Sequence, residues 1–168
     1  MSKKTRVLFL DFDHTLFNTD QFFHVEVRNA LSRFVTDGKL WEDGYDRAWQ
    51  SGYSLDKHID EIRRISGDQL PGEEMKSIIH GSFSDLKRFL FPDVVPFLKS
   101  IRGQETDIFL LSFGSETWQR YKVLGSGIGA YFDDMFFVPA EGGKAQVVLE
   151  YAGKIDHMIA VDNNPTEL

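Results

Sequence analysis

Apolar residues follow two different regimes along the chain. Val7-Leu8-Phe9-Leu10 is an unbroken apolar run, and residues 107–112, 134–138 and 157–162 repeat its character as DIFLLS, DMFFV and HMIAVD. Short continuous runs of this kind predict strands covered on both faces, as in a parallel sheet. Between the later runs the spacing becomes helical. Residues 116–124 predict a helix closed by Gly125, and residues 144–151 predict another ending near Gly153. Strands and helices alternating at this interval predict a Rossmann-like parallel α/β sheet.

Residues 20–100 break that alternation and contain no good strand. Asp20 can cap a helix carrying Phe22, Phe23, Val27, Ala30, Leu31 and Phe34, and a shorter piece follows over residues 41–49. Ser54 can cap the next helix, with Leu55, Ile59 and Ile62 on one face and Gly67 at its end. Pro71 suits a first helical turn, and Glu73 and Glu74 are favourable near that positive helix end. Met75, Ile78, Ile79, Phe83, Leu86 and Leu90 continue one stripe, and Pro92 opens a helix through Phe97 and Leu98 to Gly103. A crossover between parallel strands needs far fewer residues. The surplus predicts a helical bundle inserted into the sheet domain. The expected organisation is a discontinuous core, 1–18 with 92–168, around a helical insert, 19–91. The sequence ends six residues after the fourth strand, where a sheet of this class usually carries another helix, so the core is expected to be C-terminally incomplete.

Composition removes several functions. The 168 residues carry 26 acidic and 19 basic side chains, a net charge of −7, with no dense basic run beyond Lys3-Lys4-Thr5-Arg6. Binding to nucleic acid or to an anionic membrane is therefore not expected. The chain has no cysteine, which excludes disulfides, thiolate catalysis and zinc–thiolate sites. No apolar run approaches the roughly 18 residues of a membrane span, and no signal-peptide pattern is present. A cytoplasmic protein is expected.

Polar residues cluster where the strands are predicted to end. Asp11 and Asp13 follow the first, Ser112 closes the second, Asp162 and Asn163 follow the fourth, and Lys144 opens a helix. The carboxyl ends of strands line the ligand crevice of open parallel sheets. Side chains two apart on an extended segment point the same way, so Asp11 and Asp13 can face one point if the extended geometry continues, and Asp162 can join them. Three converging carboxylates repel unless a cation sits among them, and an oxygen-only ligand set favours Mg²⁺. Mg²⁺ together with a lysine favours an anionic substrate, phosphate above all.

DFDHT followed by Leu16 resembles the first signature of the haloacid dehalogenase-like superfamily, a hydrophobic strand and then Asp-x-Asp-x-Thr. IFLLS ending at Ser112 resembles the second signature, Lys144 the third, and VDNN at 161–164 the fourth. The helical insert resembles the α-helical cap of subfamily I, and LFPDVVPFLKSI resembles the segment that returns from such a cap. The resemblance spans essentially the whole chain. It implies a Mg²⁺-dependent phosphatase acting on a small soluble phosphomonoester. Asp11 would be the nucleophile that forms an aspartyl-phosphate, and Asp13 the general acid and then base. Mg²⁺ would be held by the Asp11 side chain, the Asp13 carbonyl and Asp162. Ser112 and the Phe113 backbone N–H would hold phosphate oxygens, Thr15 would orient Asp13, and Lys144 would offset the charge of Asp11 and the phosphoryl group. The second acid, Asp13, favours phosphoryl transfer over carbon–halogen cleavage, since the family's dehalogenases lack it.

Two positions depart from the commonest form of these motifs: His14 stands where Gly is frequent, and Asn163 where a second acid is common. His14 reads as a neutral spacer or, second, as a residue that touches substrate, and Asn163 as an uncharged residue able to bond metal-bound water. Rival readings are a phosphoaspartate switch of receiver type, a phosphomutase of the same superfamily, and a catalytically silent phosphate-binding module. His24, His58, His80 and His157 lack ligand-like spacing and read as surface or cap residues. Trp41, Tyr45, Trp49 and Tyr53 read as bundle core, and Arg63-Arg64 as a solvated face.

Overall fold

A computed structural model describes residues 6–50, 52–83, 85–139 and 142–166. Strand β1 (Arg6–Leu10) pairs in parallel with β2 (Thr106–Phe113) on one side and with β4 (His157–Val161) on the other. β3 (Asp134–Val138) pairs in parallel with β2, giving the order β3-β2-β1-β4. Helices α5 (Val94–Ile101), α6 (Glu116–Gly125) and α7 (Gly143–Tyr151) lie between the strands in sequence. The expected four-stranded parallel α/β sheet with a helical insert is present.

Position in the sheet explains strand burial. β1 and the middle of β2 are buried along their length, since each has a strand on both sides. β4 does not share that character, although its sequence is equally apolar: its burial alternates, and Ile159 is 63% exposed. It lies at the sheet edge, where one face keeps fewer neighbours. Val7, Phe9, Phe109, Leu111 and Val138 form one core layer, packed by Val147, Val148 and Tyr151 of α7.

The chain divides into two compact units, Met1–Thr19 with Leu86–Leu168, and Asp20–Asp85. The return to the sheet unit comes at Leu86 rather than residue 92. Leu86 N donates to Gly125 O at 3.1 Å, and Phe89 packs its ring 5.7 Å from that of Phe17. These contacts tie the segment to the sheet unit before α5 begins.

The helical unit opens with a π-helix, Asp20–Val27, that runs into α1 (Arg28–Leu31). Phe22, Phe23 and Val27 are buried along it, on the face that the expected helix carried. α2 (Gly38–Trp49) is capped by Asp37, whose side chain accepts from Lys39 N, and α3 (Leu55–Ile65) is capped by Ser54 in the same manner. α4 (Gly72–Ser82) follows Pro71. α2 and α3 approach closely at Gly44, where a Cβ would lie 2.6 Å from Ile62 Cγ1. His58, expected at the surface or in the cap, belongs to the helical unit and is fully buried in it. Its Nε2 donates to Trp41 O at 2.8 Å and its Nδ1 accepts from the Tyr53 hydroxyl at 3.2 Å, the tautomer that satisfies both contacts. Burial drives the His58 pKa down to about 4 against the opposing pull of the Trp41 carbonyl. Arg63 donates to Leu70 O and Arg64 pairs with Glu61.

Candidate active site

The direction of sheet growth reverses at β1, since β2 and β3 extend one side and β4 the other. The segments leaving strands at such a switch point diverge and leave a crevice at the carboxyl ends. Leu10 stands opposite Val161 in the register, and Asp11 N donates to Val161 O at 2.9 Å. That register sets Asp11 and Asp162 beside one another, each the first residue beyond its strand.

Lys144 enters from the first turn of α7. The residue before the helix, Gly142, has φ 73°, and a Cβ on Gly143 would stand 2.9 Å from Val138 Cβ. Glycines therefore let the helix start close against the end of β3. Lys144 Nζ donates to Asp11 Oδ1 at 2.7 Å and to Asp162 Oδ2 at 2.8 Å, with all three side chains almost wholly buried. Thr15 Oγ1 donates to Asp11 Oδ2 at 2.8 Å, and Asn164 N donates to Asp162 Oδ1 at 2.8 Å. Burial raises the Asp11 carboxyl to about 6, with Lys144 and Thr15 offsetting part of the penalty. Burial also opposes charge on Lys144, but Asp11 and Asp162 outweigh it and its pKa rises.

Asp13 has a different set of partners. Its Oδ1 accepts from Lys122 Nζ and from Thr19 Oγ1, the latter at 2.6 Å, and its Oδ2 accepts from Gln119 Nε2 at 2.9 Å. Burial alone would raise this carboxyl, but Lys122 and the hydrogen bonds outweigh it and the pKa falls below the ordinary value. The extended geometry that would aim Asp11 and Asp13 at one point stops too early. Leu16 N and Phe17 N both donate to Phe12 O, at 2.9 and 3.0 Å, and His14 takes φ 59°. This turn directs Thr15 to Asp11. The resemblance implied that Thr15 orients Asp13; instead Thr15 bonds Asp11, and Thr19 makes the bond to Asp13. The left-handed conformation at His14 is also the reason glycine suits the position.

Ser112 is fully buried at the end of β2, and its Oγ has no hydrogen-bond partner. A hydroxyl left so costs on the order of 1–3 kcal/mol, which an oxygen-bearing ligand can recover. The Phe113 carbonyl accepts from Gln119 Nε2, and Asn163 is exposed. Lys122 and Gln119 do not stand out in the sequence. Their signal is positional: they share the buried stripe of α6 with Trp118 and Val123, where apolar residues would be the rule.

Among the described residues no three His, Asp or Glu side chains cluster as metal ligands. The set implied by the resemblance needs only two carboxylates and a main-chain carbonyl. Asp11, Asp162 and the Asp13 carbonyl supply hard oxygen donors, and each carboxylate oxygen keeps a lone pair beyond its hydrogen bond. In donor chemistry these residues fit Mg²⁺.

No family model and no curated protein matches the chain. Solved structures do. A protein described as a haloacid dehalogenase-like hydrolase from Burkholderia xenovorans LB400 superposes with a TM-score of 0.72 at 18% identity, covering 95% of this chain and 74% of that one. A protein described as the HAD-hydrolase YfnB from Bacillus subtilis, solved bound to magnesium, gives a TM-score of 0.61 at 14% identity, covering 96% and 79%. The L-2-haloacid dehalogenase from Xanthobacter autotrophicus gives 0.60 at 15% identity, covering 96% and 71%. No helix is long and apolar enough to cross a membrane among the described residues. The chain has the fold of the haloacid dehalogenase-like hydrolases, a parallel α/β core with a helical insert between its first two strands.

Proposed function

We propose that the protein is a Mg²⁺-dependent phosphatase that hydrolyses a small soluble phosphomonoester through an aspartyl-phosphate on Asp11. The observation that carries this reading is the buried Asp11–Lys144 contact, with the unpartnered Ser112 hydroxyl at the same carboxyl end of the sheet. It supplies a carboxylate nucleophile, a fixed cation and a free donor at one end of a parallel sheet.

Asp11 Oδ attacks phosphorus while the bond to the leaving oxygen breaks and that oxygen takes a proton from Asp13 in its acid form. Water then attacks the aspartyl-phosphate, gives a proton to Asp13, and inorganic phosphate leaves Asp11. Ser112 donates to a phosphoryl oxygen, with the Phe113 N–H, and Lys144 offsets the charge. Asp11, Asp162 and the Asp13 carbonyl would hold Mg²⁺, which would supply neutralisation of charge on the phosphoryl oxygens. Lys122, Gln119 and Thr19 favour the anionic form of Asp13, which suits the base role. Acting as acid requires prior protonation, so leaving groups stable as anions depend least on it.

The test is release of inorganic phosphate from p-nitrophenyl phosphate and from a panel of phosphorylated metabolites, with Mg²⁺ and with EDTA. Turnover by the wild type, lost with EDTA and in Asp11→Asn, is expected. A wild type that releases no phosphate from any of them overturns the reading.

A further inference from the structure

We infer that Lys122 and Gln119 are positioning residues for Asp13, a pair on α6 that fixes its carboxylate and couples the loop after β1 to the end of β2. The inference deepens the phosphatase reading and rests on it for its kinetic part.

The geometry is specific. Lys122 is 3% exposed, and its ammonium bonds Asp13 Oδ1. On its other sides lie aromatic faces, with ring centroids of Phe12 at 5.4 Å and of Phe17 and Trp118 at 5.9 Å. Such an enclosure leaves the ammonium one strong anionic partner and little freedom to choose another. Gln119 stands one turn earlier on the same face of α6. Its amide donates to Asp13 Oδ2 and to the Phe113 carbonyl. Gly114 makes room for it: a Cβ there would meet Gln119 Nε2 at 2.8 Å, and its φ of 126° is one that only glycine adopts readily. One side chain thus joins the acid of the first signature to the end of β2, next to Ser112.

This arrangement also changes the charge pattern of the site. Three aspartates with one lysine become two separate groups: Asp11 and Asp162 on Lys144, and Asp13 on a lysine of its own. Loss of Lys122 would leave Asp13 its Thr19 and Gln119 bonds but no counter-charge.

The experiment is a double-mutant cycle of Lys122→Met with Asp13→Asn, read twice. Methionine keeps the length of the side chain and fills the aromatic enclosure. With p-nitrophenyl phosphate and Mg²⁺, Lys122→Met is expected to lower kcat at least tenfold with KM within about threefold, and to add no loss on the Asp13→Asn background. In thermal melts with EDTA each single variant is expected to lower Tm, since each removes one partner of a half-buried pair whose lysine is enclosed, and the double variant is expected to lose less than the two falls together. Gln119→Met, whose role needs no buried charge, serves as the second variant and is expected to show the same kinetic split. Fully additive melting shifts overturn the clamp, and so does an undiminished kcat in both Lys122→Met and Gln119→Met. A wild type without phosphatase activity would sink the phosphatase reading alone, because the melting cycle still decides whether Lys122 acts through Asp13.

Discussion

Lys144 follows Asp11 by 133 residues, yet donates to its Oδ1 at 2.7 Å and shares the same ammonium with Asp162. Two buried carboxylates on one lysine is a charge-imbalanced arrangement that apolar packing would not choose. It has consequences for stability as well as chemistry.

The Asp11 carboxyl titrates near 6 in the fold and near 4 when unfolded. As pH rises from about 4 to about 6 the unfolded chain releases its proton first, so the metal-free protein loses stability across that window and carries the whole cost at pH 7. Two pKa units correspond to about 3 kcal/mol. Asp11→Asn is therefore expected to abolish turnover and to stabilise the metal-free protein at pH 7 by roughly 1–3 kcal/mol, in urea unfolding with EDTA. A lower unfolding midpoint for the mutant would contradict this.

His58 produces the opposite trend in the helical unit. Its folded pKa of about 4 lies below the unfolded value of about 6.5. Its contribution is complete above pH 6.5 and lost as pH falls towards 4, by roughly 3 kcal/mol, because the unfolded chain takes up the proton first. Amide hydrogen exchange at pH 7 and at pH 4.5 should show a selective loss of protection over α2 and α3. Equal loss across β1 and β2 would remove His58 as the cause.

Ser112→Ala separates binding from folding. The hydroxyl is buried without a partner, so its removal is expected to leave stability unchanged or raise it by up to about 1 kcal/mol. KM for p-nitrophenyl phosphate and the inhibition constant of inorganic phosphate are expected to rise several-fold. An unchanged phosphate affinity would count against Ser112 as a ligand.

His14 occupies a left-handed backbone position, φ 59°, at the turn between Asp13 and Thr15. His14→Gly is expected to change stability by no more than about 0.5 kcal/mol, since relief of strain and loss of chain entropy nearly cancel. His14→Val is expected to cost roughly 1–2 kcal/mol because a branched Cβ fits this region poorly. Similar melting temperatures for both variants would show that the backbone there adjusts freely.

The sheet and the places where its strands end in polar residues are readable from local sequence. Apolar runs such as Val7–Leu10 are local signals, and Ser54 caps its helix through Lys57, three residues away. The motifs at Asp11, Ser112, Lys144 and Asp162 were equally legible, since each sits beside its own strand or helix end. The tertiary structure alone decided the pairings. A turn at His14 gives Thr15 to Asp11, and α6 brings Lys122 and Gln119 to Asp13 across more than a hundred residues. It also made β4 an edge strand, made His58 a core residue, and opened the helical unit with a π-helix. Local patterns record hydrophobic period and capping chemistry. Which lysine neutralises which carboxylate depends on sheet order, helix placement and burial, and those exist only once the chain has closed on itself.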